Sequence, residues 1–95
     1  MQLKDFEMMP TEMPNGVQAV LKFGDDYELS IIQSDFSYGG TSGLYEIGVF
    51  KNGAMTEMPG ITAENDTVRG FLTEEDVNGI ISKMYFATGK QPEQI

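Results

Sequence analysis

Every second residue from Val17 to Phe23 is apolar, and the same alternation returns from Tyr27 to Ile31 after Gly24-Asp25-Asp26. A period of two puts Val17, Ala19, Leu21 and Phe23 on one face of a strand, and Tyr27, Leu29 and Ile31 on one face of the next. The intervening turn predicts a hairpin over Asn15–Gln33 in which Phe23 pairs with Tyr27. That register sets Leu21 against Leu29 on the apolar face and Lys22 against Glu28 on the other, so both faces favour the same alignment.

The residues that follow extend the hairpin into a meander. Ser34–Gly43 holds three glycines and no periodicity, and reads as a loop. Tyr45–Lys51 predicts a third strand with Tyr45, Ile47 and Val49 toward the core. Asn52-Gly53 suits a type I′ turn, which needs positive φ at both central residues. A fourth strand is expected over Ala54–Met58, stopped by Pro59-Gly60. Ile61–Asp66 reads as loop, and Thr67–Arg69 as a short additional edge strand. Thr73 is a good N-cap, with Glu74, Glu75 and Asp76 at the positive end of the helix dipole. Val77, Ile80, Ile81, Met84 and Tyr85 follow the spacing of an amphipathic helix, with Leu72 and Val77 placed as a hydrophobic staple. Gly89 and Pro92 mark its end. The expected fold class is α+β: an antiparallel meander of four strands, five with Thr67–Arg69, and one C-terminal helix packed on one face. The organisation is a Met-rich segment 1–14, one domain over 15–89 and a tail 90–95. Thr-Glu-Met-Pro occurs at Thr11–Pro14 and Thr56–Pro59, but the flanking residues do not match.

Composition narrows the chemistry. The 95 residues include no His, Cys or Trp, and the formal net charge is −9. The usual proton shuttle, thiol nucleophile and zinc or copper ligands are therefore absent. No nucleophile stands beside a recognisable base, so no catalytic residue, cofactor or metal is expected, and the chain does not read as an enzyme. Six Lys and Arg are scattered singly, which disfavours direct nucleic-acid binding. Apolar runs are far shorter than a bilayer requires, so no membrane association is expected, and the lack of cysteine suits a reducing cytoplasm. Asp25, Asp26 and Glu28 lack the spacing of a calcium loop and read as turn residues in water. Tyr38–Gly43 has the glycines of a phosphate-binding loop, but no Lys follows them and the next element is a strand.

Apolar residues on the second face of the meander point to binding instead. If Leu21, Leu29, Ile47 and Val49 face the helix, then Val20, Ile32, Phe50 and Met55 face away from it, among Glu28, Glu46 and Glu57. Either Leu3, Phe6, Met8 and Met9 fold back over them, or a partner or second copy covers them. In the glycine-rich loop Phe36 and Tyr38 offer large contact surfaces at low entropic cost. Phe86 falls on the side of the helix opposite Ile81. The candidate partner-binding set is Val20, Glu28, Ile32, Phe36, Tyr38, Glu46, Phe50 and Phe86.

Taken in order, Tyr27-Glu-Leu-Ser-Ile-Ile32, Phe36-Ser-Tyr-Gly-Gly40, Gly43-Leu-Tyr-Glu-Ile47 and Gly70-Phe-Leu-Thr-Glu-Glu-Asp-Val77 resemble small uncharacterised accessory proteins of tailed bacteriophages and prophages. The resemblance covers roughly Val17 to Met84 and implies expression in the cytoplasm of a bacterial host. It carries no assigned activity or functional residues. With the charge, it leads to the expectation of a non-enzymatic acidic protein that binds a basic surface on a host protein, inhibiting a defence or nucleic-acid-processing complex. The alternative is a virion structural or assembly component that self-associates, as a homodimer or larger, through the outer sheet face.

Overall fold

A computed structural model describes the chain from Met1 to Ile95. The alternating runs form β2 (Val17–Phe23) and β3 (Tyr27–Gln33), paired from Val17–Gln33 to Phe23–Tyr27, with Leu21 opposite Leu29 and Lys22 opposite Glu28. Strand β4 (Tyr45–Lys51) continues the meander along β3. Asn52 and Gly53 have φ of 51° and 83°, which closes the tight turn into β5. The resulting architecture is the expected α+β one, an antiparallel sheet with a single helix on one face.

Four local expectations need correction. Strand β5 is only Ala54–Met55, not Ala54–Met58. It ends where the edge of β4 changes partner: Val49 O accepts the Thr56 N–H, and Val49 N–H donates to Thr67 O. The edge strand is longer than Thr67–Arg69. It is β6, Val68–Leu72, and it pairs with Tyr45–Gly48 of β4. The segments outside 15–89 also belong to the fold. Before β2, β1 (Met9–Pro10) pairs with Gln18 and Val17; after the helix, β7 (Pro92–Gln94) pairs with Leu21, Lys22 and Phe23. Pro92 ends the helical path as expected, and it is tolerated as the first residue of a short edge strand because no ladder N–H is required of it there. It is buried.

Helix α1 (Glu74–Thr88) is capped as its sequence indicates. Asp76 N–H donates to Thr73 Oγ1 and Thr73 N–H to the Asp76 carboxylate, at 3.1 and 3.0 Å. The Thr73 N–H bonded to the carboxylate, then the Thr73 side chain beside it, with the Arg69 charge adding to both, hold the Asp76 carboxyl below its ordinary value. Gly89, at φ 70°, gives the left-handed C-terminal stop, its N–H bonded to Tyr85 O. Val77, Ile80, Ile81 and Met84 are buried against Leu21, Phe23, Leu29, Ile31, Ile47 and Val49. Tyr85, placed on the same stripe by spacing, is exposed at its edge.

The N-terminal residues join this core and not the other face of the sheet. A single 3₁₀ turn, Leu3–Asp5, lies against α1; Leu3 is buried in the core and its N–H donates to Asn78 Oδ1 at 2.7 Å. Phe6 and Met8 pack on the same cluster. The Gln94 side-chain amide bonds both the N–H and the carbonyl of Glu7, tying the two chain ends together. Of the two alternatives for the second sheet face, cover by Leu3, Phe6, Met8 and Met9 is therefore the one that fails. Only Met9, opposite Gln18, reaches its margin.

Candidate binding surface

Strand register defines the face turned away from α1. One row runs Glu93, Lys22, Glu28, Phe50, Met55; the next Val20, Ser30, Gly48, Val68; the third Met9, Gln18, Ile32, Glu46. Gly48, at the centre, is buried. A Cβ there would lie 3.5 Å from both Met55 Cε and Val68 Cγ1, so these side chains close over the missing one. Val20, Ile32, Phe50 and Val68 are half-buried by their neighbours alone, and Met55 is 50% exposed. Glu28, Glu46 and Glu93 carry carboxylates on the same face. Lys22, between Glu28 and Glu93, leans toward Asp25 at 3.8 Å in an exposed pair that contributes little.

The glycine-rich loop borders this face. Ser34–Ser37 forms a tight turn in which the two hydroxyls exchange bonds with the backbone, and Asn15 Nδ2 holds Asp35 at 2.9 Å. Tyr38 N–H then donates to the Glu46 carboxylate at 2.7 Å, and Tyr38 O accepts the Phe71 N–H at 3.1 Å. Opposite that contact β6 is bulged: Gly70 and Phe71 stand against the single residue Glu46, between the pairs Ile47–Arg69 and Tyr45–Leu72. Gly70 is needed because a Cβ there would overlap the Tyr38 Cβ. The Tyr38 and Phe71 rings stack with centroids 6.4 Å apart and planes at 22°. Val68 lines a cleft of about 220 Å³ together with these two rings. The aromatic loop and the outer face are thus one surface, joined through Val68.

Of the eight candidate residues, Val20, Glu28, Ile32, Glu46, Phe50 and Tyr38 lie on or at the margin of this surface. Phe36 stands on the same loop, 75% exposed. Phe86 does not join them: it is 81% exposed on α1, beside Tyr85 with ring centroids 5.5 Å apart, on the helix side of the sheet. There it borders a separate hollow with Met1, Gln91 and Pro92. Phe71 and Val68 were missed. The sequence places Val68 in an edge strand but does not set its face, and nothing in Gly70-Phe71-Leu72 marks the middle residue for a left-handed conformation.

Both edges of the meander are occupied. Along β2, β1 and β7 meet the backbone at either end, and Ile95 N–H donates to Val20 O between them. Along β4, β6 and β5 do the same. The outer edge of β6 is met by Ala63 N–H at Val68 O and by Tyr38 O at Phe71 N–H. Recognition by strand addition has no long free edge to use, which leaves the faces. Three larger hollows, of about 300, 320 and 240 Å³, lie at 57–65, between Arg69 and Lys83, and between Lys22 and Glu93, and all are lined mainly by polar residues. No group of three or more His, Cys, Asp or Glu side chains is placed to hold a metal ion. No helix is long and apolar enough to cross a membrane. The chain matches no protein-family model, no curated protein and no solved structure.

Proposed function

We propose that this chain is a non-enzymatic binding protein whose outer sheet face docks on a basic surface of another protein. The observation that carries the reading is the uncovered face itself: Val20, Ile32, Phe50, Met55 and Val68 around Ser30 and Gly48, three carboxylates (Glu28, Glu46 and Glu93) against the single cation Lys22, and occupied edges on both sides. Apolar side chains clustered among charged ones are the usual material of a protein–protein interface. A net charge of −9 speeds association with a basic partner and makes its rate salt-dependent. The resemblance to tailed-phage accessory proteins supports a bacterial host protein as the target, with inhibition of a defence or nucleic-acid-processing complex as the consequence. Self-association through this face, the virion-assembly reading, is less favoured because a two-fold contact places the same patch, with its carboxylates, on both sides.

Phe50→Glu tests the reading. It leaves the helix-facing core untouched, so the variant should stay folded, while an unpaired carboxylate at the centre of an interface should abolish docking. Affinity capture from a bacterial lysate at low and moderate salt should recover a basic protein with the parent chain and lose it with the variant. A parent that elutes as a dimer and becomes monomeric on Phe50→Glu would replace the proposal with self-association. Equal capture by both chains would refute it.

A further inference from the structure

Phe71 combines two unfavourable conditions. Its φ is 57°, a left-handed conformation that bulky residues rarely adopt, and its side chain is 66% exposed. Burial therefore recovers little of the backbone cost. The surroundings hold it in place regardless: Tyr38 O takes its N–H, Glu46 anchors Tyr38 N–H, and Gly70 clears room for Tyr38 to lie alongside. The outcome is a fixed pair of near-parallel rings, the Tyr38 one also 59% exposed. The rings border the 220 Å³ cleft whose remaining wall includes Ala63, Val68 and Asp66. Asp66 Oδ1 accepts from Thr67 and Val68 N–H at 2.7 and 3.3 Å, which fixes the carboxylate at the rim. Arg69 also borders the cleft. By register, however, its side chain belongs to the helix face, where its charge acts on Asp76.

We infer that the Tyr38–Phe71 shelf is the socket for an arginine side chain of the basic partner. The inference rests on the proposed docking of the outer face and names the chemistry of one contact within it. A planar guanidinium can lie on a ring face while its N–H fork donates to a carboxylate, and it is more weakly hydrated than a lysine ammonium. The shelf supplies both elements side by side, in a chain whose net charge of −9 draws a cation to it.

The test is a titration of the ¹⁵N-labelled chain with the blocked peptide Gly-Arg-Gly-Arg-Gly at low salt, against the peptide with lysine in place of arginine. The arginine peptide should move the amide signals of Tyr38, Asp66, Gly70 and Phe71 saturably, and bind at least about threefold more tightly than the lysine peptide. Phe71→Gly accepts the left-handed φ without strain, so it should melt close to the parent while losing about tenfold in affinity for the arginine peptide. Asp66→Asn keeps an acceptor for the two turn N–H groups, and should weaken binding without lowering the melting temperature. Equal binding of both peptides, with shifts spread over every carboxylate, would overturn the inference. So would unchanged binding by Phe71→Gly, or collapse of that variant, which would make the ring a structural strut. A partner capture abolished by Phe50→Glu but indifferent to Phe71→Gly would keep the outer-face reading and remove the socket alone.

Discussion

Gly70 and Gly79 offer the same substitution with opposite expected signs. Gly70 lies in the β6 bulge, with backbone that any residue can adopt. An alanine Cβ would nevertheless overlap the Tyr38 Cβ and sit 3.1 Å from its carbonyl oxygen. Tyr38 must retreat, and with it go two bonds, to the Glu46 carboxylate at 2.7 Å and from the Phe71 N–H at 3.1 Å. Overpacking of this kind costs about 1–3 kcal/mol, and each displaced bond about 0.5–1.5 kcal/mol. The sum, about 2–6 kcal/mol, should lower the melting temperature of a domain this size by at least about 8 °C. Gly79 is exposed in α1, and its Cβ would enter open space. Alanine there is worth about 0.8–1 kcal/mol in helix propensity, a gain of about 3–8 °C. Circular dichroism melts of the two variants decide the matter. A Gly70→Ala melt within about 3 °C of the parent would refute the close approach of the loop to the bulge.

Leu3→Ala should cost about 2–4 kcal/mol because it empties a buried site between the 3₁₀ turn and α1; an unchanged urea midpoint would mean that the N-terminus is not part of the core. Gly53→Val meets no neighbour within 4 Å, so its cost, about 1–3 kcal/mol, comes from the left-handed turn alone; melting at the parent temperature would contradict the turn. Asp76→Asn tests the capping charge. Because the folded carboxyl titrates below its ordinary value near 3.8, the stabilisation is present above that value and is lost as pH falls through the folded one. The melting difference between parent and Asp76→Asn should therefore be steady at neutral pH and shrink in acid, and a difference independent of pH would refute it.

The elements legible beforehand are those whose determinants lie within a few residues of one another. The β2–β3 register follows from two period-two runs around one short turn, and the α1 boundaries from Thr73, Asp76 and Gly89. The outer-face residues Val20, Ile32 and Phe50 came from the same alternation, which is why they were found without knowledge of what covers them. What covers them depends on where residues 1–9 go. Alternation along the strands is silent on that, because Leu3 chooses between two apolar destinations by fit against Asn78 and α1.

Phe71 marks the limit most clearly. Its left-handed backbone is unfavourable locally and persists only because Tyr38, Glu46 and Gly70 meet around it from three separate stretches of chain. The same holds for β7: Pro92-Glu-Gln94 has no strand character of its own and extends only because the free edge of β2 supplies the hydrogen bonds. Local patterning decides period, turn and cap, since those energies act between near neighbours along the chain. Edge occupancy, the open face and the aromatic shelf depend on contacts between distant residues, which exist only once the sheet has assembled.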